Sequence, residues 1–220
     1  MLISLLFSEP LLFIPLLLAL LISLTVHEVS HGFVALWLGD TTARDAGRLT
    51  FNPIKHLDLV GFILLMTIGF GWGNPVPVNY YNLKYPKWGP AIVSIAGPLS
   101  NLMLVILTGI LFKIVAPSGM NPLNIDSVIS NSGNLMLIFL AFMMFYNIIL
   151  MVFNLIPVPP LDGSKVLLAV LPDKYAHFKY QLQTRGPIIL FVLLLIDSFG
   201  GIGIFSAFFN MIIGFFSRFF

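Results

Sequence analysis

The chain has 220 residues, 58% of them hydrophobic and 9% charged, with a formal net charge of +2 and no cysteine. Soluble domains carry roughly 25% charged residues, so this much apolar surface exceeds what one aqueous core hides, and lipid is the implied solvent. A small, scattered charge gives no basis for nucleic-acid binding, and the lack of thiols removes disulfides, thiolate metal sites and cysteine nucleophiles, leaving any metal to nitrogen and oxygen ligands.

Apolar stretches at 11–26, 89–112, 134–156 and 187–217 stand out as membrane helices. The first helix is expected from Pro10 to Gly39-Asp40, about 29 residues or roughly 43 Å, with Pro15 marking a bend or a later start. It has no basic leader region and no small-residue cleavage site, so it reads as a retained helix. Residues 40–58 suit an interfacial loop, in which Asp40, Asp45, His56 and Asp58 read as ordinary solvated side chains. The apolar run from Leu59 to Trp72 is short for a regular span and is expected to dip in and return. Pro75 and Pro77 then make the segment Gly71–Asn79 extended. With that re-entrant reading all basic segments (Arg44, Arg48, Lys55; Lys84, Lys87; and four residues in 157–186) fall on one face, placing them in the cytosol and the amino terminus outside. Asp197 and Gly200-Gly201-Ile202-Gly203 leave the last stretch as one broken helix or a tight pair. The expected fold is an all-α polytopic membrane protein: one domain over 1–220, a bundle of about 5 to 6 membrane helices with a small membrane-associated re-entrant or β element around 59–80.

Inside the first apolar helix lies His27-Glu28-Val29-Ser30-His31. Ionisable groups at membrane depth are costly and mark function, and Glu28 is one of only two glutamates in the chain. At spacing i, i+4 the two imidazoles share a helix face and can bind one zinc ion, while Glu28, about 100° around the helix, can act as general base. A catalytic zinc needs a third protein ligand. Asp162, after Pro157, Pro159 and Pro160, is the best candidate, with the N-cap of a short helix from Gly163 as its alternative role. Asp126 and Asp197 suit helix ends, and His177 suits a surface or headgroup position. Asn147 and Asn154 share a helix face: packing glue is one role, and Asn154 is also placed to donate to the oxyanion of a tetrahedral intermediate. In Ala96-Gly97-Pro98-Leu99-Ser100-Asn101 the small residues permit close helix packing, and Asn101 alone invites a functional role.

These elements, His27-Glu28-Val29-Ser30-His31, Gly97-Pro98-Leu99-Ser100-Asn101 and Asn154-Leu155-Ile156-Pro157-Val158-Pro159-Pro160-Leu161-Asp162-Gly163, resemble the site-2 protease family of intramembrane zinc metalloproteases over roughly residues 15 to 170. The resemblance implies His27, His31 and Asp162 as ligands of one zinc per chain, Glu28 as base, Asn154 assisting binding or oxyanion stabilisation, and a site reached from the cytosol. No segment is long and polar enough to be an accessory PDZ or CBS domain, so a compact single-domain member is expected. The implied reaction is hydrolysis of peptide bonds in or next to transmembrane segments of membrane-protein substrates, in regulated intramembrane proteolysis, at the plasma membrane of a prokaryote. The strand at Val76–Val78 is a candidate for pairing with an unwound substrate. The rival is a metal transporter or sensor using the same site, against which stands the absence of any internal repeat.

Overall fold

The structure, a computed structural model, describes residues 2–69 and 71–220, the side chains of Ser198 and Phe199 excepted. Among the described residues it is almost entirely helical: α1 Leu2–Ser8, α2 Pro10–Trp37, α3 Thr42–Asp45, α4 Leu59–Ile68, α5 Gly89–Val115, α6 Ile125–Ser132, α7 Leu135–Asn154, α8 Gly163–Val170, α9 Ala176–Gly200 and α10 Ile204–Phe216. Three of these, α2, α5 and α7, are long and apolar enough to cross a membrane, and α4 and α10 are shorter apolar helices. This is an all-α membrane bundle. The β character expected around 59–80 reduces, among the described residues, to a single bridge between Leu57 and Gly73.

Why α2, α5 and α7 form the centre follows from which faces are apolar and small. Leu16 and Ala19 of α2, Phe112 of α5 and Leu137, Ile138 and Ala141 of α7 interlock in one buried cluster with Val128 of α6. Val105 packs on Met144 and Ile148 in a second. The outward faces are equally apolar: Leu11, Ile14 and Leu18 on α2, and Leu99, Met103, Ile106 and Ile110 on α5, are exposed. Such continuous apolar bands, a liability in water, are what a helix presents to lipid tails.

Element ends follow local chemistry. Asp58 caps α4 by accepting from Gly61 N at 2.8 Å, and α4 stops after ten residues, too few to cross. The apolar stretch 187–217 is two helices: Gly201 and Gly203 adopt φ of 64° and 75°, and Asp197 accepts from Ile204 N and Phe205 N at 2.6 and 3.1 Å, capping α10 across the turn. Helices α1 and α6 were not expected from the sequence; each is short, and α6 lies in the loop between two spans.

Candidate active site

Helix α2 brings His27 and His31 to one buried face on consecutive turns. Helix α5 crosses behind them and takes their outer nitrogens: His31 Nδ1 lies 2.8 Å from the Val93 carbonyl, and His27 Nδ1 lies 2.6 Å from Asn101 Oδ1. Asn101 presents its oxygen because its amide nitrogen is spent on Asn147 Oδ1 at 2.7 Å. Both partners are acceptors, so each neutral ring carries its proton on Nδ1 and leaves Nε2 as a bare lone pair.

Pro157, Pro159 and Pro160 stop α7 from continuing and turn the chain back towards these rings. Asp162 then stands just before α8, but its carboxylate makes no capping hydrogen bond. Its Oδ2 lies 3.2 Å from Nε2 of His27 and 3.2 Å from Nε2 of His31, and the two Nε2 atoms are 3.1 Å apart. Asp162 Oδ2 is buried without a hydrogen-bond partner. Three electron-pair donors with no proton between them repel unless a cation sits among them. Their near-equilateral triangle also matches one face of a tetrahedron with bonds of about 2.0–2.1 Å, whose edge is ~3.3 Å. Two imidazoles and a carboxylate, with the fourth position open, form the donor set of a catalytic zinc site. Among the described residues this is the group able to hold a metal ion.

Close approach of α5 depends on Gly97. A Cβ there would lie 2.4 Å from His31 Nε2 and 2.5 Å from His27 Cε1, inside the space the histidines need. Pro98 next to it cannot donate to the Ser94 carbonyl, so α5 is short of one helical bond where it meets the histidines.

Glu28 points to the other side, towards an extended strap after α4. Its Oε2 accepts the Val76 N–H at 2.9 Å. The strap is tied at both ends. Arg48 Nη2 donates to the Asn74 carbonyl at 2.7 Å, and Asn74 N donates to the His56 carbonyl at 2.8 Å. At the far end Asp40 accepts from Asn79 N at 2.8 Å and Asn82 Nδ2 at 3.0 Å, and also from the Thr42 hydroxyl. The expectation that Asp40 and His56 are solvated is therefore corrected: both are fully buried, because the strap folds over the loop that carries them. Burial works to raise the Asp40 carboxyl, but the donors from Thr42, Asn82 and Asn79 outweigh it and hold the group below the ordinary carboxylate range. Asp45 does stay at the surface, bonded to Thr41 and Arg44.

Asn154 Nδ2 donates back to the Leu150 carbonyl at 3.0 Å, leaving its second amide hydrogen and its oxygen for other partners. Asn147 is buried among side chains rather than at the rim. Tyr80, which the sequence reading passed over, has its phenol pushed above its ordinary value by burial and by the negative charge of Asp162, and Lys165 sits 5.5 Å from its ring centroid. The Val93 carbonyl and the Val76 N–H are main-chain groups and carried no sequence signal; Gly97 had one, but only as a packing residue.

An apolar helix bundle with a buried His–His–Asp triangle and an adjacent glutamate defines a membrane-embedded metallohydrolase site. The chain matches the model of peptidase family M50 over residues 15–196, and it belongs to that family. It is 39% identical over 178 residues to "Putative zinc metalloprotease YwhC" of Bacillus subtilis (strain 168), covering 81% of this chain and 78% of that protein. It is 32% identical over 181 residues to "Putative zinc metalloprotease Rip2" of Mycolicibacterium smegmatis, covering 80% of this chain and 64% of that protein. No solved structure matches the chain. The protein is an integral membrane protein and a zinc-dependent protease of the site-2 protease family, and family membership implies the metal whose fit the triangle shows.

Proposed function

We propose that the chain is an intramembrane endopeptidase that cleaves transmembrane or juxtamembrane segments of other membrane proteins, in regulated proteolysis at a prokaryotic plasma membrane. The whole of 1–220 acts as one catalytic domain, its active site facing the cytosol and its amino terminus outside. The observation that carries this reading is the triangle of His27 Nε2, His31 Nε2 and Asp162 Oδ2 set within lipid-facing helices. These three residues hold one zinc ion per chain, which supplies Lewis acidity to a peptide carbonyl and to water.

Glu28 is the general base. With Oε2 held by Val76 N–H, its other oxygen is the one that accepts a proton from the attacking water and passes it to the leaving amine. Asn154 uses its remaining amide hydrogen to orient the scissile carbonyl. A substrate helix must unwind before its carbonyl is free, and an apolar cavity of about 390 Å³ between α2, α4 and α7, lined by Leu20, Leu24, Phe62, Leu65 and Phe153, gives its side chains somewhere to lie. Strand pairing at Val76–Val78 has fewer donors to offer than an open edge, since Val76 N–H is taken by Glu28 and Pro75 and Pro77 have none.

The test is the zinc content of detergent-purified wild type, Glu28→Gln, His27→Ala and Asp162→Ala, paired with cleavage of a membrane-protein reporter. One zinc per chain in the first two, loss in the last two, and activity in wild type alone are expected. Full zinc in Asp162→Ala would remove it from the ligand set; zinc loss in Glu28→Gln would turn the site into a transport or sensing site.

A further inference from the structure

Behind His27 runs a closed chain of buried polar groups that the reaction itself does not use. Ser23 on α2, Asn101 on α5 and Asn147 on α7 are all fully buried. The Ser23 hydroxyl has one proton, and it goes to the Ala19 carbonyl at 2.7 Å in preference to Met143 Sδ at 3.8 Å. Ser23 Oγ is therefore an acceptor, and it receives Asn147 Nδ2 at 2.7 Å. The second hydrogen of Asn147 Nδ2 goes to the Met143 carbonyl, also at 2.7 Å. With both amide hydrogens committed, Asn147 faces α5 with its oxygen, which receives Asn101 Nδ2 at 2.7 Å. The second hydrogen of Asn101 Nδ2 faces the Ser23 carbonyl at 3.5 Å, which leaves its oxygen for His27 Nδ1 at 2.6 Å. Reversing any one amide would set acceptor against acceptor, and no water is at hand in an apolar bundle to repair the loss.

We propose that Asn147 and Ser23 are positioning residues which fix the tautomer of His27, and with it the lone pair offered to the metal, although neither touches the ligand triangle. The direction of the chain is set at its far end by two main-chain carbonyls, Ala19 and Met143, which can only accept. It ends with the proton on Nδ1 and the lone pair on Nε2. Outer hydrogen bonds of this kind tune metal affinity by about 10- to 100-fold. His31 is held differently, by the Val93 carbonyl alone. The two histidines are thus separable: perturbing the amide chain loosens His27 and leaves His31 as it was.

This inference rests on His27, His31 and Asp162 being the ligands, and the experiment keeps the two apart. Zinc dissociation constants of the full chain in detergent are measured by competition with a chromophoric chelator for wild type, His27→Ala, Asn147→Leu, Asn147→Asp, Ser23→Ala and Thr108→Val. The tautomers of the four histidines are read from their ring ¹⁵N shifts in the metal-free protein. Expected are zinc affinity about 10- to 100-fold weaker in Asn147→Leu, a smaller loss in Ser23→Ala, and a mixture of His27 tautomers in both with His31 unchanged. Asn147→Asp, which as the neutral acid keeps one donor and one acceptor, recovers most of the affinity. Thr108→Val, which removes another buried hydroxyl on α5, leaves it unaltered. Wild-type affinity and a single His27 tautomer in both Asn147→Leu and Ser23→Ala overturn the proposal while leaving the ligand set standing. Undiminished zinc in His27→Ala overturns the ligand set and this proposal with it.

Discussion

The two sides of the site are held by opposite kinds of chemistry. On the α5–α7 side, the histidines are fixed by neutral acceptors, the Val93 carbonyl and an amide chain buried between helices. On the strap side, carboxylates of Glu28 and Asp40 are fixed by main-chain N–H groups of Val76 and Asn79, with Arg48 anchoring the strap by the Asn74 carbonyl. Between packed apolar helices an unpaired charge is costly, so neutral groups with every hydrogen assigned do the positioning there. Towards the loop, charged groups serve, because donors converge on them. On the proposed reading, in which His27, His31 and Asp162 hold the metal and Glu28 is the base, the difference separates two functions: the helix side sets metal affinity, and the strap side sets the base.

The sharpest way to break the helix side is Gly97→Ala. The added Cβ would stand 2.4 Å from His31 Nε2 and 2.6 Å from His31 Cε1, and it sits on a helix backbone that cannot simply move away. Zinc affinity is expected to fall by more than about 100-fold, beyond the loss of one outer hydrogen bond, with cleavage abolished and helix content retained. Chelator competition together with circular dichroism checks it. Wild-type zinc affinity would show that α5 does not abut the ligands.

The strap side is sharpened by Val76→Pro. Residue 76 lies between Pro75 and Pro77 in extended backbone, so a third proline suits the local conformation while deleting the one N–H that reaches Glu28. A hydrogen bond to a charged group contributes about 1.5–3 kcal/mol, or roughly 10- to 100-fold. The loss is expected in kcat, with KM and bound zinc nearly unchanged. Val76→Ala, which keeps the donor and loses only two methyl groups from the contact with α2, separates the N–H from the side chain. Equal kcat in Val76→Pro and wild type would remove the strap from the chemistry.

How much of this was legible in the sequence divides along the same line. His27, Glu28 and His31 stood out as ionisable groups in an apolar run, and Asp162 stood out because three prolines unwind the chain beside it. The short α4 was legible from the length of its apolar run, whereas Asp197 and the glycines at 200, 201 and 203 left the last stretch as one broken helix or a tight pair, and only the fold shows two helices. Main-chain partners were not legible, since every residue has an N–H or a carbonyl and only the fold decides that Val76 and Val93 use theirs here. Asp40 was misread because a carboxylate beside arginines and threonines looks solvated, whereas four donors from two segments enclose it. Asn147 looked like packing glue; its orientation matters only once Ser23 and Asn101, 124 and 46 residues away in sequence, are seen against it.

The mildest test concerns Asp40, and it separates holding the strap from holding the metal. Folding gathers donors around this carboxylate and lowers its pKa, so the unfolded chain binds the proton more readily than the folded one. Its contribution to stability is therefore complete above the ordinary carboxylate range and drains away as pH falls through that range to the lower folded value. Asn at 40 keeps an acceptor for the strap but has no charge to lose. Asp40→Asn is expected to lower Tm by about 2–4 °C at neutral pH, the size of a ~1 kcal/mol loss in a chain of this length. The gap from wild type should persist as the medium is acidified to about pH 4 and close only below it, a window fixed by the ordinary aspartate value of about 3.9 and the downward direction of the shift. Zinc content should stay at the wild-type level throughout the neutral range, because the triangle is held from α2, α5 and the turn before α8. A gap that stays constant with pH would mean that Asp40 is held no more tightly folded than unfolded; a loss of zinc would mean that the two sides of the site are not separable after all.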